Sequence, residues 1–241
     1  SDVYKRQETF DGLVVTVGTC GKPNMIPLPN QKSFRGEILH SSQLDEHDFE
    51  GKRVVVIGGG ASGVEAAETA LERGAKKATI LARKDHWIIP RQLLVDCFIT
   101  LFPYGSRFLA WLVPEQLIRR LHYRELDEKM SPTTPLYSGT PVVNNDFLRL
   151  VRQGAADYQR GETTLLHHDG LEYNFRTRHQ SKDERGETRF MSADMIVLAT
   201  GFERPTIDFL PKDLSPPRHA GPNICLLYPS DAADEEDRGD C

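Results

Sequence analysis

Three glycines at fixed spacing carry the clearest chemistry in this chain. Gly58, Gly60 and Gly63 form a Gly-x-Gly-x-x-Gly run directly after the β-branched residues Val54–Ile57. That spacing suits a pyrophosphate. Gly58 permits a tight turn out of a strand, Gly60 leaves room for phosphate oxygens to reach the backbone, and Gly63 lets the next helix pack close to the strand. The N–H groups of Ala61 and Ser62 would open that helix, where free donors and the positive dipole end attract anions. The Ser62 hydroxyl can add a hydrogen bond. Twenty residues after Gly63 stand Arg83 and Lys84. An acidic residue there would accept from the ribose 2′-OH of NAD, whereas two cations suit a 2′-phosphate. The expected ligand is therefore NADPH rather than NADH. A plain strand-to-helix turn followed by an exposed basic pair is the structural alternative.

Such a site needs a strand, a helix and a second parallel strand. Val54–Ile57 supplies the first. Val64, Ala67, Ala70 and Leu71 share one helical face, and Gly74 is a stop signal. Ala78–Ala82 supplies the second strand. Upstream, Phe10–Val17 reads as a buried strand, residues 23–29 as a loop and Phe34–Leu44 as a short element. Downstream, Leu93–Leu101 looks helical, Pro103 and Gly105 interrupt it, and Arg107–Val113 continues it. Pro114 fits the first turn of a helix running to about Lys129. Prolines between Pro132 and Pro141 predict a rigid loop, and Asn144 or Asn145 can cap a short helix through Arg152. Leu171–Arg176 and Thr188–Met191 read as strands flanking the polar turn Ser181–Gly186. Asp194–Ala199 reads as a further buried strand ending at Thr200-Gly201-Phe202.

The two ends read differently from the middle. Asp2-Val-Tyr-Lys-Arg-Gln7 matches the translation of a widely used transposase sequencing adapter. Its reverse complement in a shifted frame gives Cys-Leu-Leu-Tyr-Thr-Ser, one base from Cys225-Leu-Leu-Tyr-Pro-Ser230. Residues 1–7 and 225–241 are accordingly expected to be adapter-derived, and no function is read from them. Without them the 30 basic residues become 27, the 35 acidic residues become 28, and the net charge of −5 becomes −1. No basic excess remains to favour a nucleic-acid partner. Cys20 and Cys97 remain, too far apart in sequence for a CxxC redox pair, and no metal-ligand spacing is present. The stretch Trp87–Val113 contains Arg91, Asp96 and Arg107, so it is a poor transmembrane span. Helices lying on a membrane surface, anchored by Trp87, Phe98, Phe102, Phe108 and Trp111, stand as an alternative to helices packed on the domain. A cytoplasmic location, with or without peripheral membrane contact, is expected, and a homo-oligomer is compatible with the sequence.

Four features in this order resemble the flavin-containing monooxygenase family, in particular its fungal dimethylaniline-monooxygenase-like branch. Val17-Gly18-Thr19 resembles the first ATG segment of these flavoproteins. Phe34-x-Gly36-x-x-x-His40-Ser41 resembles the FxGxxxH fingerprint of flavin-containing and Baeyer–Villiger monooxygenases. Gly58, Gly60 and Gly63 resemble the family's second, NADPH-binding fingerprint, and Ala199-Thr200-Gly201-Phe202 resembles its ATGF segment. The fingerprint differs at its end, where Leu44 and Asp45 replace the usual aromatic residue. The family's first GxGxxG, which binds FAD, is absent and would precede Glu8.

The resemblance implies an α/β fold: a Rossmann-like NADPH-binding domain over residues 51–199 with a helical insertion at about 85–153. Incomplete pieces of a FAD-binding Rossmann-like domain would occupy residues 8–50 and a return segment at 200–224. It implies hydride transfer from NADPH to FAD and oxygen addition to give a C4a-hydroperoxyflavin, with an amine nitrogen or sulfide sulfur as the oxygen acceptor. Cofactor-binding residues are then Gly58, Gly60, Ala61, Ser62, Gly63, Arg83 and Lys84 for NADPH. Gly18, Thr200 and Gly201 approach a cofactor through backbone. No catalytic residue is assigned, and this fragment alone is expected to be inactive. His40 is read as a hydrogen-bonded residue fixing the inter-domain link rather than as a proton-transfer group. A two-dinucleotide reductase and a non-catalytic NADP-binding module remain as alternatives.

Overall fold

Two apolar layers enclose one seven-stranded sheet in the computed structural model, which describes residues 16–18, 20–91, 112–136, 139–180 and 186–206. In chain order the elements are β1 (Glu37–His40), β2 (Arg53–Ile57), α1 (Ala61–Glu72), β3 (Lys77–Ala82) and β4 (Ile88–Ile89). Then come α2 (Leu112–Leu117), α3 (Asp127–Met130), β5 (Val142–Val143) and α4 (Phe147–Arg152). β6 (Ala156–His167), β7 (Gly170–Phe175), β8 (Glu187–Ser192) and β9 (Met195–Leu198) complete the order. The sheet order is β1-β9-β2-β3-β6-β7-β8, with β4 and β5 pairing separately.

The first five strands of that order are parallel. Both faces of a parallel sheet are covered, so its strands are apolar runs rather than alternations. β2 shows this directly. Val54 and Val56 join the layer containing α1, while Val55 packs in the opposite layer with Leu81, Ile196 and Phe34. α1 buries Val64, Ala66, Ala67 and Ala70, and the chain leaves it through Gly74 at φ 88°. The bidentate Arg53–Asp194 pair, at 2.8 and 2.7 Å, clamps the entry of β2 to the entry of β9. These hydrogen bonds hold the Asp194 carboxyl down to about 2.

β6 changes partner along its length. Ala156–Arg160 pairs in parallel with β3, and Gly161–His167 pairs antiparallel with β7. β7 and β8 then form a meander that folds Leu166, Leu171 and Tyr173 onto the second layer.

Several expectations change here. β6 carries no strand pattern in the sequence. β1 lies in the segment read as preceding the Rossmann unit, yet it is an edge strand of the same sheet. The helix expected from Pro114 to Lys129 is helical but broken: a π turn spans Ile118–Tyr123, a 3-10 turn spans Arg124–Leu126, and Arg124 adopts φ 52°. The region between β3 and β6 is not purely helical, because Ile88–Ile89 pairs with Val142–Val143. Trp87 is no membrane anchor. It is 3% exposed, meets Tyr123 edge-on, lies under the Arg119 guanidinium and donates to the Thr134 carbonyl at 2.9 Å. The anchors Phe98, Phe102, Phe108 and Trp111, the expected helices between residues 93 and 111, and both ends read as adapter lie outside the described residues. So does most of the expected strand Phe10–Val17, and Thr16 and Val17 carry no strand pairing. Among the described residues no helix is long and apolar enough to cross a membrane.

Candidate functional site

The carboxyl ends of β2 and β9 lie side by side where the sheet order reverses: the chain runs outward through β3 and β6 on one side, while β9 and β1 lie on the other. Open α/β sheets place ligands at such a switch point. The three glycines stand there, and their surroundings differ. Gly58 has φ 123°, and a β-carbon on it would meet the Ala199 carbonyl oxygen at 2.3 Å. A β-carbon on Gly63 would lie 2.0 Å from the Gly58 carbonyl oxygen, so the helix reaches the turn only because residue 63 lacks a side chain. A β-carbon on Gly60 would meet nothing within 4 Å. Gly60 caps α1, and Ala61 and Ser62 are exposed in its first turn. The residues present therefore fit a pyrophosphate: an open approach at Gly60 over helix N–H groups that have no partner further back in the helix.

β3 ends at Ala82, beside this turn. Arg83 and Lys84 follow and are exposed. The Arg83 guanidinium lies 3.9 Å from the Glu162 carboxylate, with both side chains mostly in solvent. Four further residues, none of them singled out by sequence, hold this strand end. Asp85 accepts from the Tyr158 hydroxyl at 2.9 Å and from Arg160 Nε at 2.6 Å. Arg176 donates to the Arg83 carbonyl at 2.9 Å. Burial and the neighbouring Asp85 charge push the Tyr158 hydroxyl far above its ordinary pKa, so it stays a donor. A cavity of about 280 Å³ opens alongside, lined by Tyr158, Arg160, Phe175, Arg176, Arg178 and Arg189 among others.

A second cluster ties residues 21–24 to residues 200–203. Gly21 N–H donates to the Glu203 carbonyl at 2.9 Å, Glu203 N–H to Lys22 at 2.8 Å, and Asn24 N–H to Gly201 at 3.0 Å. The Thr200 hydroxyl donates to the Asn24 carbonyl at 2.5 Å. His40 is fully buried at the end of β1, with Nε2 at 2.9 Å from the Gly201 carbonyl. Its Nδ1 accepts from the Ser42 N–H at 3.2 Å. These partners suit Nε2 as the donor and Nδ1 as the acceptor, so the ring ties the end of β1 to Gly201. Gly201 has φ 77° and open space where a β-carbon would be, and so does Gly18 at φ 73°. The fingerprint before β2 gains a physical reading. Phe34 is buried, Gly36 passes 2.1 Å from the Asp194 carbonyl measured from an added β-carbon, and His40 bonds Gly201. Leu44, where the family pattern has an aromatic residue, is buried against the α1 layer.

The family model for flavin-binding monooxygenase-like proteins matches residues 1–160. The chain belongs to the flavin-binding monooxygenase-like family. It is 26% identical to the N-oxide-forming dimethylaniline monooxygenase 2 of Cavia porcellus, over 95% of this chain and 42% of that protein. It is also 26% identical to flavin-containing monooxygenase 3 of Homo sapiens, over 83% of this chain and 38% of that one. The chain thus spans less than half the length of these relatives. Solved structures with the same fold include an oxidized steroid monooxygenase bound to NADP, with TM-score 0.57, 16% identity and coverage of 77% of this chain and 46% of that one. A cyclohexanone monooxygenase from Rhodococcus sp. Phi1 bound to NADP+ gives TM-score 0.55 at 18% identity, covering 78% and 46%.

Within this flavin-binding monooxygenase-like chain, Gly58, Gly60, Ala61, Ser62 and Gly63 come together at one turn, with Arg83 and Lys84 at the neighbouring strand end. Thr200 and Gly201 stand beyond Ala199, whose N–H donates to the Ile57 carbonyl at 2.9 Å. Thr19 lies outside the described residues. Among the described residues no cluster of His, Cys, Asp or Glu is arranged to hold a metal.

Proposed function

We propose that this chain is the NADPH-binding part of an NADPH- and oxygen-dependent flavin monooxygenase that oxygenates amine nitrogen or sulfide sulfur. The observation that carries the proposal is the glycine turn at the sheet's switch point, open only at Gly60, with Arg83 and Lys84 at the next strand end. Family membership supplies the flavin. When bound, NADPH supplies a hydride, and FAD passes the reducing equivalents to oxygen.

This chain's own residues bind and orient. The α1 N-terminus and the Gly58–Gly63 turn hold the pyrophosphate, and Arg83 and Lys84 take the 2′-phosphate through charge-assisted contacts. The chain has one such glycine fingerprint, so FAD pyrophosphate is assigned no residue here. On the family resemblance, Gly18, Thr200 and Gly201 are assigned to the side on which a flavin domain would meet this one. The soft-nucleophile specificity rests on the resemblance to the dimethylaniline-monooxygenase-like branch.

The test is isotopic. The longer protein, given NADPH and labelled oxygen with a panel of amines, sulfides and ketones, should place one labelled atom in an amine or sulfide product. Oxidation of NADPH with only peroxide released would replace the monooxygenase reading with an oxidase or reductase.

A further inference from the structure

The turn that carries Arg83 and Lys84 lies beyond the end of β3, so strand hydrogen bonding does not fix it. A buried network fixes it instead. Asp85 is bound by Tyr158 Oη at 2.9 Å and Arg160 Nε at 2.6 Å, with the Asp85 and Arg160 side chains only 17% and 9% exposed. The remaining Arg160 nitrogens donate to the carbonyls of Glu128 and Ser131 at 3.2 and 3.0 Å. Arg176 holds the same turn from the other side through the Arg83 carbonyl. The network also touches the glycine turn: Tyr158 Oη and the Lys84 carbonyl oxygen lie 3.3 and 3.5 Å from where a β-carbon on Gly59 would be. One set of contacts therefore fixes the glycine turn and the basic strand end at a set separation.

We propose that Asp85 and Tyr158 are positioning residues for 2′-phosphate recognition. The proposal rests on the NADPH reading above. Their hydrogen bond holds the Arg83–Lys84 turn beside the Gly58–Gly63 turn, where one dinucleotide would reach both. The Arg160 guanidinium neutralises Asp85, so the carboxylate is an anchor and not a repelling charge beside the phosphate. A preorganised cation pair loses less freedom on binding, and the benefit falls on the ligand that carries the 2′-phosphate.

The experiment is calorimetric titration of the chain with NADPH and with NADH, comparing wild type with Tyr158→Phe, Asp85→Asn and Arg83→Ala. One lost hydrogen bond corresponds to about a 3- to 10-fold fall in the NADPH-over-NADH preference for Tyr158→Phe and for Asp85→Asn, mostly through NADPH. A merely structural role would lower the melting temperature and leave the preference intact. An unchanged preference in Tyr158→Phe overturns the proposal, and that variant decides the matter if Asp85→Asn does not fold. A raised preference in Asp85→Asn also overturns it, because the carboxylate would then act by repulsion. If Arg83→Ala too leaves the preference unchanged, the 2′-phosphate assignment itself has failed. If Arg83→Ala lowers it and Tyr158→Phe does not, only the positioning role has failed.

Discussion

Gly63 packs so tightly on Gly58 that a β-carbon at position 63 would stand 2.0 Å from the Gly58 carbonyl oxygen. Neither the turn nor the helix can yield easily, because the obstructing atom is backbone. Gly63→Ala should therefore destabilise the domain by about 1–3 kcal/mol, the usual range for overpacking. Gly60→Ala meets open space and should leave stability within about 0.5 kcal/mol of wild type, as a substitution with nothing to displace. Thermal or urea unfolding of the two variants reads the contrast. Equal loss in both would mean that the open approach at Gly60 is not as described.

Arg83 and Glu162 form a weak pair across the strand end. A 2′-phosphate would compete with that carboxylate for the guanidinium. Arg83→Ala should weaken NADPH by about 10- to 150-fold, as expected for a hydrogen bond to a charged group, and change NADH little. Glu162→Gln should act in the opposite direction, tightening NADPH by a factor of about 2–5, within the worth of an exposed charge pair. Both effects should shrink at high salt. Fluorescence titration at two ionic strengths checks them.

Burial, with the Arg152 charge behind it, lowers His122 to about 4. Its Nε2 is buried without a hydrogen-bond partner. The unfolded chain takes up this proton near pH 6.5, and the folded chain only near pH 4. Stability from neutral His122 is therefore complete above pH 6.5 and falls as pH drops towards 4, by about 1–2 kcal/mol once solvent screening of the partly exposed ring is allowed for. Urea unfolding at pH 7 and pH 4.5 should show this loss, and His122→Gln should flatten the slope. An unchanged slope would contradict the burial.

His40 bonds a carbonyl that also receives the Asn24 N–H. His40→Phe preserves bulk but leaves the Ser42 N–H without its ring acceptor. Ser42 is exposed, so water can replace that acceptor, and stability should fall by about 0.5–1.5 kcal/mol, the net worth of a hydrogen bond. The Gly58–Gly63 turn is separate, so NADPH affinity should hold within about 2-fold, the scale of additivity between distant sites. A large loss of affinity with intact stability would mean that His40 touches the nucleotide.

The β2-α1-β3 unit was legible because its signals are local: a β-branched run, three spaced glycines, a helical apolar face and Gly74. β6 was not legible, since its inward positions include Arg160. That arginine is buried only because Asp85, far away in sequence, neutralises it. A buried ion pair thus erases the apolar pattern by which a strand is recognised. β4 and β5 are two residues each, too short to carry any period. Membrane anchoring stayed open as an alternative for Trp87 because Arg119 and Tyr123, which cover it, lie more than thirty residues on. The site divides in the same way. The glycines and the basic pair were readable as a motif, whereas Asp85, Tyr158 and Arg176 act through contacts that only the folded sheet creates.

If NADPH binds across Gly60 with its 2′-phosphate at Arg83, titration of this chain with NADPH should reveal it. Wild type should show one saturable site. Gly60→Val should abolish it while the variant stays folded, because a β-carbon there meets no protein atom within 4 Å and stands where the ligand would lie. Undiminished NADPH binding by a folded Gly60→Val variant would mean that the nucleotide lies elsewhere.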